Sequence, residues 1–243
     1  MTDAELARAV AEEAGRLLLD LRAAGGHAGK ALGDEGDRRA NRLILDRLAA
    51  ARPDDLVLSE ESADDLARCD RARVWIVDPL DGTREYAEGR DDWAVHVALA
   101  VDRVAATGAV ALPAMERTLC SDRIAPVHAL PERPRMVVSR TRPPEIAVRV
   151  ADALGAEPIA MGSAGAKAMA VVEGRADLYL HAGGQHEWDN CAPVAVARAH
   201  GLHASRIDGA PLVYNCPDPR LPDLLICHPA LAERVVGLVR ELL

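Results

Sequence analysis

Val74-Trp75-Ile76-Val77-Asp78-Pro79-Leu80-Asp81-Gly82-Thr83 decides how this chain is read. Four apolar residues, rich in β-branching, run into a tight polar knot, which predicts a buried strand entering a turn. Proline cannot donate to a sheet ladder, so the strand is expected to stop near Asp78. Asp78 and Asp81 then stand three residues apart on a rigid turn. Carboxylates that close repel each other unless a proton or a cation lies between them. Hard dications such as Mg2+ take carboxylate, carbonyl, water and phosphate oxygens. Gly82 lets a ligand approach the backbone. The helix-like run opening at Thr83 offers free N–H groups to a phosphate. Taken alone, Asp-x-x-Asp-Gly is explained at least as well by an ordinary Asx-type turn.

Outward from this knot the elements alternate. Upstream, Thr2 and Glu5 form a potential capping box. Leu6, Val10, Leu17, Leu18 and Leu21 then predict a helix over 4–24, ended by Gly25-Gly26. A polar loop follows, and a second helix is expected from near Asp37 to Ala50, stopped by Pro53. Leu56-Val57-Leu58 reads as a short strand delivering Glu60 and Glu61, and 63–73 as a polar external loop. Downstream, 94–101 and 105–112 read as paired strands around a turn at Asp102-Arg103. His96 reads as a core or sheet-face histidine rather than a ligand. The irregular stretch 121–134 is the expected boundary between an N-terminal α+β subdomain, 1–130, and a C-terminal α/β subdomain, 131–243. There, strands are expected at 136–138, 158–160, 176–180 and 224–226, and helices at 146–154, after Ser163 to Glu173, after Asp189 to His200, and at 229–242.

Composition sets the bounds. The 243 residues are 49% hydrophobic, enough for a full core, with no Phe and few aromatics. A net charge of −9 argues against a protein that coats a nucleic acid polymer. It is compatible with an anionic small substrate, since bound dications invert the local field. Five scattered cysteines without a Cys-x-x-Cys pair fit a reducing cytoplasm and give no zinc site. No apolar run is long enough to span a bilayer.

Asp78-Pro79-Leu80-Asp81-Gly82-Thr83 resembles the Asp-Pro-(Ile/Leu)-Asp-Gly-Thr signature of the lithium-sensitive, inositol monophosphatase-like phosphatases. Trp188-Asp189-Asn190-Cys191-Ala192-Pro193 resembles that family's second signature, and Glu60-Glu61 its Glu-Glu segment. Both signatures stand in the family's order and distance. The resemblance implies a layered αβαβα sandwich of the sugar-phosphatase type. It implies two or three Mg2+ ions held by Glu60, Asp78, Asp81, Asp189 and the Leu80 carbonyl. It also implies that Thr83 and an aspartate at the start of the second helix orient and deprotonate the attacking water. By position that aspartate is Asp37. The family's Thr/Ser-x-Ala-Asp pattern reads Asp34-Glu35-Gly36-Asp37 here, so Asp34 stays a candidate.

Substrate-facing residues follow from weaker resemblances. Ser139-Arg140-Thr141-Arg142-Pro143 and the Gly162-Ser163…Lys167 run resemble the family's nucleotidase branch, the CysQ-type 3'-phosphoadenosine 5'-phosphate phosphatases of actinobacteria. An Arg at a strand end can clamp phosphate through its planar fork. Gly82, Thr83, Ser139, Arg140, Gly162, Ser163, Lys167 and Glu187 are thereby expected at the substrate. The implied enzyme is a cytoplasmic, homodimeric bisphosphate nucleotidase of sulfur assimilation that acts on a small phosphorylated substrate and touches neither membrane nor nucleic acid polymer. Inositol 1-phosphate and fructose 1,6-bisphosphate are possible further substrates. A plain inositol monophosphatase is the alternative, and a non-catalytic ligand-sensing relative a remote one.

Overall fold

A computed structural model describes every residue from Met1 to Leu243 except Asp65. The helices are α1 (Asp3–Ala24), α2 (Gly29–Ala51), α3 (Thr83–Ala87), α4 (Glu145–Leu154), α5 (Ala164–Val172), α6 (Glu187–Ala199) and α7 (Ala232–Leu242). The strands are β1 (Leu56–Ser59), β2 (Arg73–Asp81), β3 (Ala94–Val101), β4 (Val104–Leu112), β5 (Arg117–Cys120), β6 (Arg135–Ser139), β7 (Glu157–Met161), β8 (Leu178–His186), β9 (His203–Ser205) and β10 (Arg220–Cys227). They form two five-stranded sheets, ordered β1-β2-β3-β4-β5 and β7-β6-β8-β10-β9. α1 and α2 cover the outer face of the first sheet, and α4 and α7 that of the second. α5 and α6 lie between the sheets, in a core that draws on both halves of the chain. These are the five layers of the expected αβαβα sandwich.

Local chemistry explains most of the elements. Thr2 and Glu5 do form the capping box of α1, and Leu6, Val10, Ala14, Leu18 and Leu21 make its buried stripe. The hairpin between β3 and β4 turns on Asp102 and Arg103, both at positive φ, as its two-residue turn demands.

Three expectations need correction. α2 begins at Gly29, eight residues before Asp37, so the expected polar loop is helical. Gly33 and Gly36 suggest a break by propensity, but they serve close approach. A Cβ on Gly33 would meet the Thr83 methyl at 2.6 Å, and one on Gly36 would crowd Leu18, Leu80 and Tyr86. β2 continues past Pro79 to Asp81. Proline is tolerated because β1 ends opposite Val77, and the pairing with β3 skips from Asp78 to Asp81 through a bulge. The stretch 63–73, of which Asp65 lies outside the described residues, is not a purely external loop. It carries a 3-10 turn whose Arg68 is buried, donating to Asp64, to Asn215 Oδ1 and to the Cys216 carbonyl. An arginine with carboxylate and carbonyl partners can be buried where an unpaired one cannot.

Candidate active site

The bulge of β2 does the placing. It brings carboxylate oxygens of Asp78 and Asp81 together at the end of the strand, and the positive φ of Gly82 (89°) then starts α3 at once. α6 brings Asp189 from the central layer. One carboxylate oxygen each from Asp78, Asp81 and Asp189 lies within 4.8 Å of the others. Asp78 is buried, and burial together with Glu60, Asp81 and Asp189 pushes its pKa well above the usual carboxylate range. Burial and the facing Asp81 push Asp189 up to about 7. Asp189 is not the helix-opening residue expected. It sits in the first turn of α6 and accepts the His186 N–H at 2.6 Å. This all-oxygen set of facing carboxylates, too crowded to be charged together without a cation, fits a hard dication such as Mg2+.

Asp37 projects from the third turn of α2 toward the same cluster. Its Oδ1 is buried without a hydrogen-bond partner. Burial, then the charges of Glu61 and Glu60, push its pKa up to about 8. The Thr83 hydroxyl donates to the Leu80 carbonyl at 3.1 Å. Asp34 faces solvent and pairs with Lys30, one turn earlier in the helix. Of the two candidates, Asp37 is therefore the one turned toward the site.

Asp81 is more than a potential ligand. Its Oδ2 accepts the Ser163 hydroxyl and the Gly165 N–H (2.6 Å), and its Oδ1 accepts the Ala164 N–H (3.1 Å). The N-terminus of α5 thus does hold an anion, and that anion is Asp81. Burial raises the Asp81 pKa, but His96, Ser163 and the charge of Lys167 outweigh it and hold the carboxyl below its ordinary value. Oδ1 accepts a single N–H and so keeps a lone pair free.

His96 is the core histidine that its place in the sequence predicts, and both of its ring nitrogens face polar groups of the site. It is fully buried on β3, with Nδ1 3.0 Å from the Trp188 carbonyl and Nε2 3.3 Å from Asp81 Oδ2. Burial alone would lower its pKa, but the Asp81 carboxylate turns the shift upward. It ties Asp81 to the residue preceding Asp189. A Cβ on Gly165 would reach 2.1 Å from Nε2, so α5 needs glycine there. The legible signal was one polar residue inside the apolar run Ala94 to Leu99.

Asp81 and Asp189 floor a cleft of about 400 Å3, lined by Gly82, Thr83, Ser139, Arg140, Gly162, Ser163 and Lys167 among the other expected residues. Several of these are engaged internally. Arg140 pairs with Glu85 and Glu88, both at 2.7 Å. The Gly162 N–H donates to Asp92 at 2.6 Å. Buried Lys167 donates to the carbonyls of Gly162 and Ser163, and burial lowers its pKa. Glu187 lies outside the lining altogether. It is buried, and its carboxylate accepts the Asn215 N–H at 2.6 Å and the Cys216 N–H at 2.8 Å, so it anchors that loop. The expectation that Glu187 meets substrate is thereby corrected. Arg84, Arg142, Tyr179, His181 and Gln185 line the cleft without having been singled out for it.

Comparisons with known proteins bear on the family and the fold. A protein 52% identical to the chain, over 99% of it and 94% of the relative, is the 3'-phosphoadenosine 5'-phosphate phosphatase of Mycobacterium leprae. The 3'(2'),5'-bisphosphate nucleotidase CysQ of Escherichia coli K12 is 32% identical over 74% of the chain and 78% of its own length. Among solved structures, CysQ of Bacteroides thetaiotaomicron superposes with a TM-score of 0.79 at 26% identity, covering 93% of this chain and 97% of that one. A Thermotoga maritima IMPase gives 0.80 at 21% identity, covering 99% and 98%, which speaks to the fold. The family model described as the inositol monophosphatase family matches residues 3–243, and the chain belongs to that family.

Proposed function

We propose that this chain is a Mg2+-dependent phosphomonoesterase that removes the 3'-phosphate of 3'-phosphoadenosine 5'-phosphate. The observation that carries the reaction class is the meeting of Asp78, Asp81 and Asp189, of which Asp81 and Asp189 line a cleft that also holds Thr83. The choice of nucleotide rests on full-length similarity to phosphatases of that substrate. Glu60, Asp78, Asp81, Asp189 and the Leu80 carbonyl would hold the metal. Bound Mg2+ supplies neutralisation of phosphoryl charge and acidification of water, the main needs of phosphoryl transfer.

The chain's own residues do the rest. The Thr83 hydroxyl, 3.1 Å from the Leu80 carbonyl and also within hydrogen-bond reach of Asp37, would orient an attacking water. Asp37, with Oδ1 unpartnered, is available to take up that water's proton. No side chain is needed as a covalent nucleophile.

The five thiols are all free, which supports a reducing compartment. Among the described residues no helix is long and apolar enough to cross a membrane. We also read the protein as a homodimer, which light scattering tests. The decisive experiment is phosphate release with Mg2+ from 3'-phosphoadenosine 5'-phosphate, inositol 1-phosphate and fructose 1,6-bisphosphate. The nucleotide is expected to have the highest kcat/KM. A clear preference for inositol 1-phosphate would replace this reading with the inositol monophosphatase one.

A further inference from the structure

A nucleoside bisphosphate carries a second phosphate that is not cleaved and needs a cation of its own. The cleft lining offers four cationic side chains: Arg84, Arg140, Arg142 and Lys167. Arg140, the obvious choice from sequence, already has Nε 2.7 Å from Glu85 and Nη2 2.7 Å from Glu88. Lys167 is buried and engaged by two carbonyls. Among the described residues, neither Arg84 nor Arg142 has an acidic partner. Arg84, on the first turn of α3, also lines a separate pocket with Gly29, Lys30 and Gly33.

Arg142 lines the cleft from the loop between β6 and α4, with an exposed side chain. Its backbone is held although its guanidinium is free. The Arg142 N–H donates to Ser139 Oγ at 3.3 Å. Pro143 and Pro144 follow; the first confines Arg142 to extended conformations, and both have φ fixed by the ring. The Arg140 pairs tie the same loop to α3, the helix that begins with Thr83. A planar fork on an ordered loop suits a phosphate, because little backbone freedom is lost when it binds.

We infer that Arg142 receives the uncleaved phosphate and thereby sets the preference for a doubly phosphorylated nucleotide over a monophosphate. Arg140 is a positioning residue that holds the Arg142 loop against α3. The inference rests on the nucleotidase reading above.

The test compares kcat/KM for 3'-phosphoadenosine 5'-phosphate and for adenosine 3'-phosphate, which lacks the second group, with the full Mg2+-loaded chain. Arg142→Ala is expected to lower the bisphosphate value about 10- to 100-fold, as for the loss of one charge-assisted contact. It should leave the monophosphate within about twofold and the thermal midpoint unchanged. Arg142→Lys should recover part of the loss, since it restores charge without the fork. Arg140→Ala, which acts through the Arg142 loop, should lower the bisphosphate value by less than Arg142→Ala does and spare the monophosphate. Equal losses on both substrates in Arg142→Ala, or no loss on either, overturns the inference while leaving the nucleotidase reading intact. A wild-type enzyme that prefers inositol 1-phosphate to the bisphosphate removes that reading, and the inference with it.

Discussion

The floor and the wall of the cleft treat charge in opposite ways. At and beneath the floor, Asp37, Asp78 and Asp189 carry raised pKa values and no cationic partner in hydrogen-bond contact. On the wall, the conspicuous cations are already satisfied, Arg140 by Glu85 and Glu88, and Lys167 by two carbonyls. Charge in a cleft is therefore a poor guide to function, and uncompensated charge a better one. Burying like charges without relief costs stability, and a fold keeps such an arrangement where a ligand supplies the relief.

The largest effects test the floor. Asp189→Asn is expected to reduce turnover to background with little change in thermal midpoint, because an amide oxygen can still accept the His186 N–H. Asp81→Asn should abolish turnover equally and also destabilise. Its amide nitrogen would face either the Ala164 N–H or the donors of Ser163 and Gly165, and an orphaned buried donor costs about 1–3 kcal/mol. At roughly 2–4 °C per kcal/mol for a chain of this size, the midpoint should drop by several degrees. Equal midpoints for the two variants would mean that Asp81 is a ligand only.

A smaller effect separates two aspartates of one helix. Asp37→Asn and Thr83→Ala should each lower kcat by about 10²–10⁴, the usual range for proton-transfer groups, with KM little changed. Asp34→Asn should be silent, since an exposed pair such as Lys30–Asp34 contributes about 0–1 kcal/mol. A damaging Asp34→Asn with a silent Asp37→Asn would reverse the assignment.

The smallest effect is a dependence of stability on pH. Folded, metal-free Asp37 and Asp189 keep their protons up to about 8 and about 7, whereas an unfolded aspartate loses its proton near about 3.9. The folded state then binds more protons than the unfolded one, so stability falls as pH rises toward these values. Carboxylates held down by arginine, such as Asp3, Asp92 and Asp177, are fully charged well below this window. The midpoint of chelator-treated protein should fall from about pH 5 to about pH 8 and level off above it, and Mg2+ should raise it more at the upper end. A midpoint that climbs across the window would show that these carboxylates ionise freely without metal.

The acidic cluster was legible because its parts are local. Asp78 and Asp81 share one turn, and Asp189 carries its own signature, so neither required knowledge of distant partners. The start of α2 was misjudged because Gly33 and Gly36 look like breakers, and only the packing of Thr83, Leu80 and Tyr86 against them shows why glycine is required. The internal partners of Gly162, Ser163 and Glu187 went unread for a related reason. A helix start can bind an anion, but the sequence does not say which one. Here it is a carboxylate from a strand 82 residues earlier. Glu187 likewise has its partners 28 and 29 residues on, in a loop with no motif of its own.

The Asp81–Ser163 contact has a consequence for the order of events in folding. Closing a loop of that span costs roughly 4 kcal/mol in chain entropy, so the contact depends on the packing of the whole central layer. At 5–20 residues per second of synthesis, about 4 to 16 seconds separate the making of its two ends. During that interval the nascent first half carries Asp78 and Asp81 without Asp189 or the helix that receives Asp81. A truncated or half-made chain therefore has no competent site, and hydrolysis begins only when the last layer has closed over the first.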